Sequence, residues 1–140
     1  MNSQISITAI VHCARSHTWD CYTLPEHIVQ WNFAHPSWHC PRATNELKVG
    51  GTYFARMEAK DGSFGFDFEA VYTELEPKRF FSYQFGDRTA RILFDPVEGG
   101  TQVSIHFDPE TENSIEDQRN GWKSILNNFK AYCEAQFSID

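Results

Sequence analysis

Between Ser114 and Phe137 the apolar residues Ile115, Trp122, Ile125, Leu126, Phe129, Tyr132, Cys133 and Phe137 recur at spacings that gather them on one stripe of a helix. Ser114 stands where an N-cap belongs, and Asp117, three residues on, sits where a capping box places an acid. Glu112, Glu116 and Asp117 put negative charge near the positive end of the helix dipole. A helix of this length runs roughly 36 Å at about 1.5 Å per residue, enough to cross a small domain. A stripe so rich in aromatic residues needs a broad apolar partner. Nearly everything before it reads as strand, so the expected partner is a sheet.

The strands follow from alternation. Ile5 to His12 sets Ile5, Ile7, Ala9 and Val11 against Ser6, Thr8 and Ile10. Two short helices are expected next: Ser16 to Tyr22, capped by Ser16 with Trp19 on its buried side, and one starting at Pro25 and running to Trp31. The stretch Asn32 to Pro41, with two prolines, reads as a loop. Strands are then expected at Ala43 to Lys48, Thr52 to Lys60, Ser63 to Glu74, Arg79 to Phe85, Arg88 to Asp95 and Thr101 to Asp108. Gly50-Gly51, Asp61-Gly62, Pro77, Gly86-Asp87 and Glu98-Gly99-Gly100 punctuate them. On one strand Phe64, Phe66, Phe68, Ala70 and Tyr72 share a face; on the next Phe81, Tyr83 and Phe85 do; on the last Val103, Ile105 and Phe107 turn inward. Successive hairpins make an antiparallel sheet with one face on the helix. The fold class is α+β, in one domain spanning 140 residues.

Composition excludes several functions. The formal net charge is −7 and no basic cluster occurs, which argues against a nucleic-acid surface. No apolar run reaches the ~20 residues that span a bilayer, so membrane insertion is not expected. The first residues lack the charged start of a signal peptide. The widely spaced Cys13, Cys21, Cys40 and Cys133 match no disulfide scaffold and read as reduced thiols of a cytoplasmic protein.

Five segments in order carry a family resemblance: Gln30-Trp31; NELKVGGTYFARM from Asn45 to Met57; Tyr72-Thr73-Glu74-Leu75-Glu76-Pro77; GGTQVSI from Gly99 to Ile105; and Gly121-Trp122. Together they resemble the homologues of the heat-shock protein 90 ATPase activator, within the SRPBCC or START-like superfamily. Asn32-Phe33 departs from the second Trp and Gly-Pro of many relatives. Trp38-His39-Cys40-Pro41 and the segment Arg56 to Ser63 look like a bacterial single-domain subgroup. The resemblance implies the helix-grip fold, a curved antiparallel sheet of about six to seven strands wrapped on the C-terminal helix. It also implies a cavity between sheet and helix. By that analogy Trp31, Trp38, His39, Tyr83 and Trp122 are candidates for its wall. Met57, Phe66, Phe68 and Phe129, on the apolar stripes, are core or lining.

Other candidate chemistry is weaker. Gly50-Gly51 lacks the context of a phosphate loop and reads as a turn. His35, His39 and Cys40, even with His12 and Cys13, lack zinc-site spacing, so no metal or cofactor is expected. Cys40 beside His39 does not by itself make a nucleophile and base, and no catalytic set is assigned. Asp67 and Glu69 could act as an acid–base pair, but cross-strand ion pairing with Arg56, Glu58 and Lys60 explains them more simply. The leading expectation is therefore a protein that binds a small hydrophobic or amphipathic ligand. The alternatives are a module that contacts a chaperone or another protein, and a cyclase- or hydrolase-like enzyme using the same cavity. A homodimer through an edge strand or a helix face is compatible with the pattern, which does not select it.

Overall fold

Alternation in the sequence becomes alternation of burial. In β1 (Ile5–Val11) residues turn in and out one by one. The computed structural model describes residues 4–137, without the side chain of Phe137. After β1 come α1 (Arg15–Thr23), α2 (Pro25–Trp31), β2 (Trp38–Asn45), β3 (Thr52–Ala59), β4 (Gly65–Glu76), β5 (Phe80–Phe85), β6 (Arg88–Val97), β7 (Gly100–Phe107) and α3 (Ile115–Phe137). The strands form one antiparallel sheet in the order β1-β7-β6-β5-β4-β3-β2, curled around the helices as a helix-grip α+β fold. Meandering hairpins account for every neighbour but β1, which closes the far side by pairing Ile7 with Ile105.

Three local readings differ from expectation. Arg15, not Ser16, begins α1, and its N-cap position is Ala14 with no side-chain cap. The Thr18 hydroxyl inside the helix donates to the Ala14 carbonyl instead. The expected loop ends early: Trp38 to Pro41 belongs to β2, whose register shifts between His39 and Arg42. A bulge on an edge strand is one of the few places in a sheet where a proline without an amide is tolerated. Third, Phe66 shares the face of Phe68, Ala70 and Tyr72 but is 49% exposed, because that end of the strand lies beyond the packed core, and Phe64, 73% exposed, precedes the strand. Gly50 and Gly51 do form a turn. Gly50 has a positive φ, and a Cβ on Gly51 would overlap the Glu46 carbonyl.

The Ser114 hydroxyl accepts the Asp117 amide at 3.0 Å, so the expected cap is present. From the stripe, Leu126, Phe129 and Cys133 are buried, whereas Ile115 is exposed; the Phe137 side chain lies outside the described part. The buried Gln118 ties the approach to α3 by donating to the carbonyls of Glu110 and Asn113.

The helix also seals the edge of β1. Lys123 Nζ donates to the Thr8 carbonyl, Lys130 Nζ to the Ile10 carbonyl, and the His12 amide donates to Glu134 at 2.9 Å. Lys130 and Glu134 pair at 2.6 Å. Burial raises the Glu134 pKa, but the Lys130 and His12 hydrogen bonds outweigh it and hold it below the ordinary 4.5. Its contribution is thus present above the ordinary value and lost as pH falls through the folded one. Glu134→Gln is expected to cost about 1 kcal/mol at neutral pH. The difference from the parent should shrink towards zero in urea titrations run at progressively lower pH.

Candidate functional site

The helices do not fill the space inside the sheet evenly. Under the middle and C-terminal part of α3, Tyr22 and Trp31 pack edge-on to Phe129, with ring centroids 4.9 and 5.1 Å away. Trp19 and Tyr22 meet Phe94 at 5.1 and 5.6 Å. This aromatic plug is close-packed. Towards the N-terminal half of α3 the interior opens into a cavity of about 260 Å³.

The helical wall is Trp122, Ile125 and Leu126, with Tyr22, Trp31 and Asn32 closing the α1–α2 side. The sheet contributes Tyr53, Met57, Phe66 and Phe68 from β3 and β4. Tyr83, Phe85, Arg88 and Ile105 complete it. Trp122 lies flat on Phe107, 3.9 Å between centroids and 7° between planes, which fixes its orientation at the wall. Asn32 is spoken for: its amide donates to the Tyr53 hydroxyl at 3.1 Å. Tyr22 and Tyr83 differ. Neither hydroxyl has a hydrogen-bond partner among the described residues, yet no sealed polar side-chain atom lacks one. Both hydroxyls are therefore reached from the open space. Burial raises both phenols far above their ordinary 10, so at neutral pH they are protonated donors.

Six of the residues expected at the wall line this cavity: Trp31, Met57, Phe66, Phe68, Tyr83 and Trp122. Three stand elsewhere. Phe129 is in the plug. Trp38 faces the same side as the cavity but sits past its mouth, 6.0 Å from the Phe66 ring. His39 pairs with Glu58 across the β2–β3 ladder, on the outer face, with Nε2 3.7 Å from the carboxylate. Tyr53 and Arg88 were not singled out in the sequence, and Phe85 was read only as sharing a face with Phe81 and Tyr83. Tyr53 and Phe85 could have been found from alternation with Met57 and Tyr83, whereas Arg88 begins its strand directly after a turn and gave no such signal.

The outer face carries the acidic pair. Arg56 reaches Glu58 at 2.9 Å and Asp67 at 3.1 Å, so Asp67 is held in a cross-strand ion pair. Gly65 leaves room for it, since a Cβ there would collide with the Arg56 guanidinium. Cys40 is buried while His39 is not, so the two neighbours point apart. His35 is turned to Ser37 at 2.7 Å. Among the described residues no three His, Cys, Asp or Glu side chains converge as a metal site would require.

The family of proteins described as activator of Hsp90 ATPase homolog 1-like matches residues 12–134. The chain belongs to this family. A solution structure of an AHSA1-like protein from Aeromonas hydrophila is 37% identical, with a TM-score of 0.90 over 95% of this chain and 93% of that one. A protein of Cytophaga hutchinsonii is 40% identical, with a TM-score of 0.81 over 96% and 94%. A Nitrosomonas europaea protein, at 15% identity and a TM-score of 0.82 over 96% of both chains, shares the fold alone. No curated protein matches.

This AHSA1-like chain also buries a thiol cluster that its sequence did not reveal. Cys13 Sγ donates to the Cys133 carbonyl at 3.4 Å. Contact with the Cys21 thiol, then burial, pushes Cys133 far up; burial pushes Cys13 up to about 12 and Cys40 to about 11. All four cysteines are free and buried. Because the thiolate is the nucleophile, these groups are inert in the folded state. A chromogenic disulfide reagent at mildly alkaline pH should label none of them rapidly in native protein and all four after denaturation. Trp122→Ala is a second check on the wall. Full burial of such a ring is worth about 3–5 kcal/mol, and Trp122 is only half-buried, so a loss of about 2 kcal/mol is expected in equilibrium unfolding.

Proposed function

We propose that this chain binds a small, largely apolar ligand between its sheet and C-terminal helix, residues 1–140 acting as one domain. The observation that carries the reading is the cavity, walled by aromatic and aliphatic side chains yet offering two unbonded tyrosine hydroxyls. Well-packed interiors leave few voids larger than a water molecule, and ligand sites combine apolar walls with a few placed polar groups. The volume is close to the lower end of the roughly 300–1,000 Å³ typical of such sites. No carboxylate, histidine or thiol is among the described lining residues. The described lining thus lacks the carboxylate, histidine or thiol that most often serves as a general base, which favours binding over catalysis. Four free buried thiols suit a reducing cytoplasm, and no described helix is long and apolar enough to cross a membrane.

A second reading, contact with another protein such as a chaperone, is supported by the exposed Phe66 beside Trp38 and by the exposed Phe64 two residues before it, together with the family's name. The two readings separate on mutation. Met57→Trp fills the cavity from within; Phe64→Ser alters an exposed ring outside the lining. Titration with single-ring aromatic compounds, followed by amide chemical shifts, is expected to perturb residues around Tyr83 and Trp122. Met57→Trp should weaken that binding at least about tenfold, a loss of about 1.4 kcal/mol, with the fold retained, whereas Phe64→Ser should leave it within about twofold. Binding that survives Met57→Trp would remove the cavity reading.

A further inference from the structure

Among the described residues that line the cavity, Arg88 is the one that carries a charge. Its Nε donates to the Asp108 carbonyl at 3.1 Å, and its guanidinium lies over the Phe85 ring, 4.9 Å from the centroid. These two contacts orient the group, and its positive charge helps hold Asp108 and Glu110 below their ordinary values without forming a close ion pair with either. No carboxylate among the described residues comes within 4.0 Å of it, and its terminal nitrogens make no hydrogen bond there. The acids nearby are engaged elsewhere. Asp108 accepts the Thr89 amide at 2.9 Å, the Thr89 hydroxyl at 3.0 Å and the Gln4 amide at 3.2 Å. Glu110 accepts the Asn113 amide at 2.8 Å and the Glu112 amide at 3.1 Å. A half-buried guanidinium whose terminal nitrogens are unbonded keeps donors available to a ligand. Its planar donors match a carboxylate in bidentate fashion.

Building on the ligand-binding reading above, we propose that the cavity selects small organic acids, the carboxylate held by Arg88 and a single-ring body lying among Tyr83, Phe85 and Trp122. The volume of about 260 Å³ suits one ring with a short acidic arm, and a steroid or a long acyl chain would extend past the mouth. Asp87, Asp108 and Glu110 around the same rim oppose added negative charge, a doubly charged phosphate more strongly than a carboxylate.

The test is calorimetric titration of the full chain with hydrocinnamate and with its uncharged counterpart, hydrocinnamyl alcohol, with amide chemical shifts mapping each site. The acid is expected to bind at least about tenfold more tightly. Arg88→Gln should bring the ratio of the two affinities towards one, and Arg88→Lys should retain part of the preference. Thermal melts of both variants show whether they fold, and the comparison within the parent protein needs no variant. Equal binding of acid and alcohol in the cavity overturns the acid proposal and leaves the apolar site standing. A preference that persists in folded Arg88→Gln overturns it too. Failure of both compounds to perturb the cavity overturns the binding reading itself.

Discussion

The junction between α3 and the exposed margin of β1 is the constraint from which the interior follows. Strand margins carry unsatisfied carbonyls and amides, and here the long helix meets them with two lysines and a glutamate. Pinned there, α3 lies along β1 and against the short helices and has its buried residues towards its C-terminal half. The strands on the other side of the curl, β3 to β5, are then spanned by side chains alone. Close to α1 and α2 there are enough aromatic rings to fill the gap. Near the N-terminal half of α3 there are not, and the space stays open.

Hydrogen bonds from α1 and α2 hold the plug in register with the sheet. The Trp31 indole donates to the Cys21 carbonyl, Asn45 bridges from the Thr23 carbonyl to the Tyr72 hydroxyl, and Asn32 reaches Tyr53. Each buried polar group on this side finds a partner, as an interior of low dielectric demands. The phenols of Tyr22 and Tyr83 stand apart from that rule at the place where the packing gives way. The same is true of the Arg88 guanidinium. Incomplete satisfaction and incomplete packing coincide at the cavity.

Most of the architecture could be read from residues alone because two periods dominate the chain. Period two gives the strands from Thr52 onward to within a few residues, and the spacing of Leu126, Phe129 and Cys133 gives the buried stripe of the helix. The family resemblance, carried by short segments in order, supplied the curl that periodicity cannot encode. What escaped depended on long-range geometry. Pro41 looked like a loop residue until β2 proved to be an edge with a bulge. His39 looked like a lining residue, but strand parity places it on the outer face. Phe66 and Phe68 alternate identically, yet their exposure differs because only one lies opposite other packed rings. Cys13, Cys21 and Cys133 come together only through the meeting of α1 and α3 with the end of β1.

The bulge in β2 also changes what the edge of the sheet presents to another strand. A sheet extends into a neighbour only through an unbroken row of amides and carbonyls. At one margin that row is occupied by the lysines of α3. At the other, Pro41 and the register shift beside it interrupt the row, and α2 packs against the strand. Both ends of the ladder are thus blunted, by one proline with its bulge and by two lysines, which leaves few unpaired backbone groups for another strand to join.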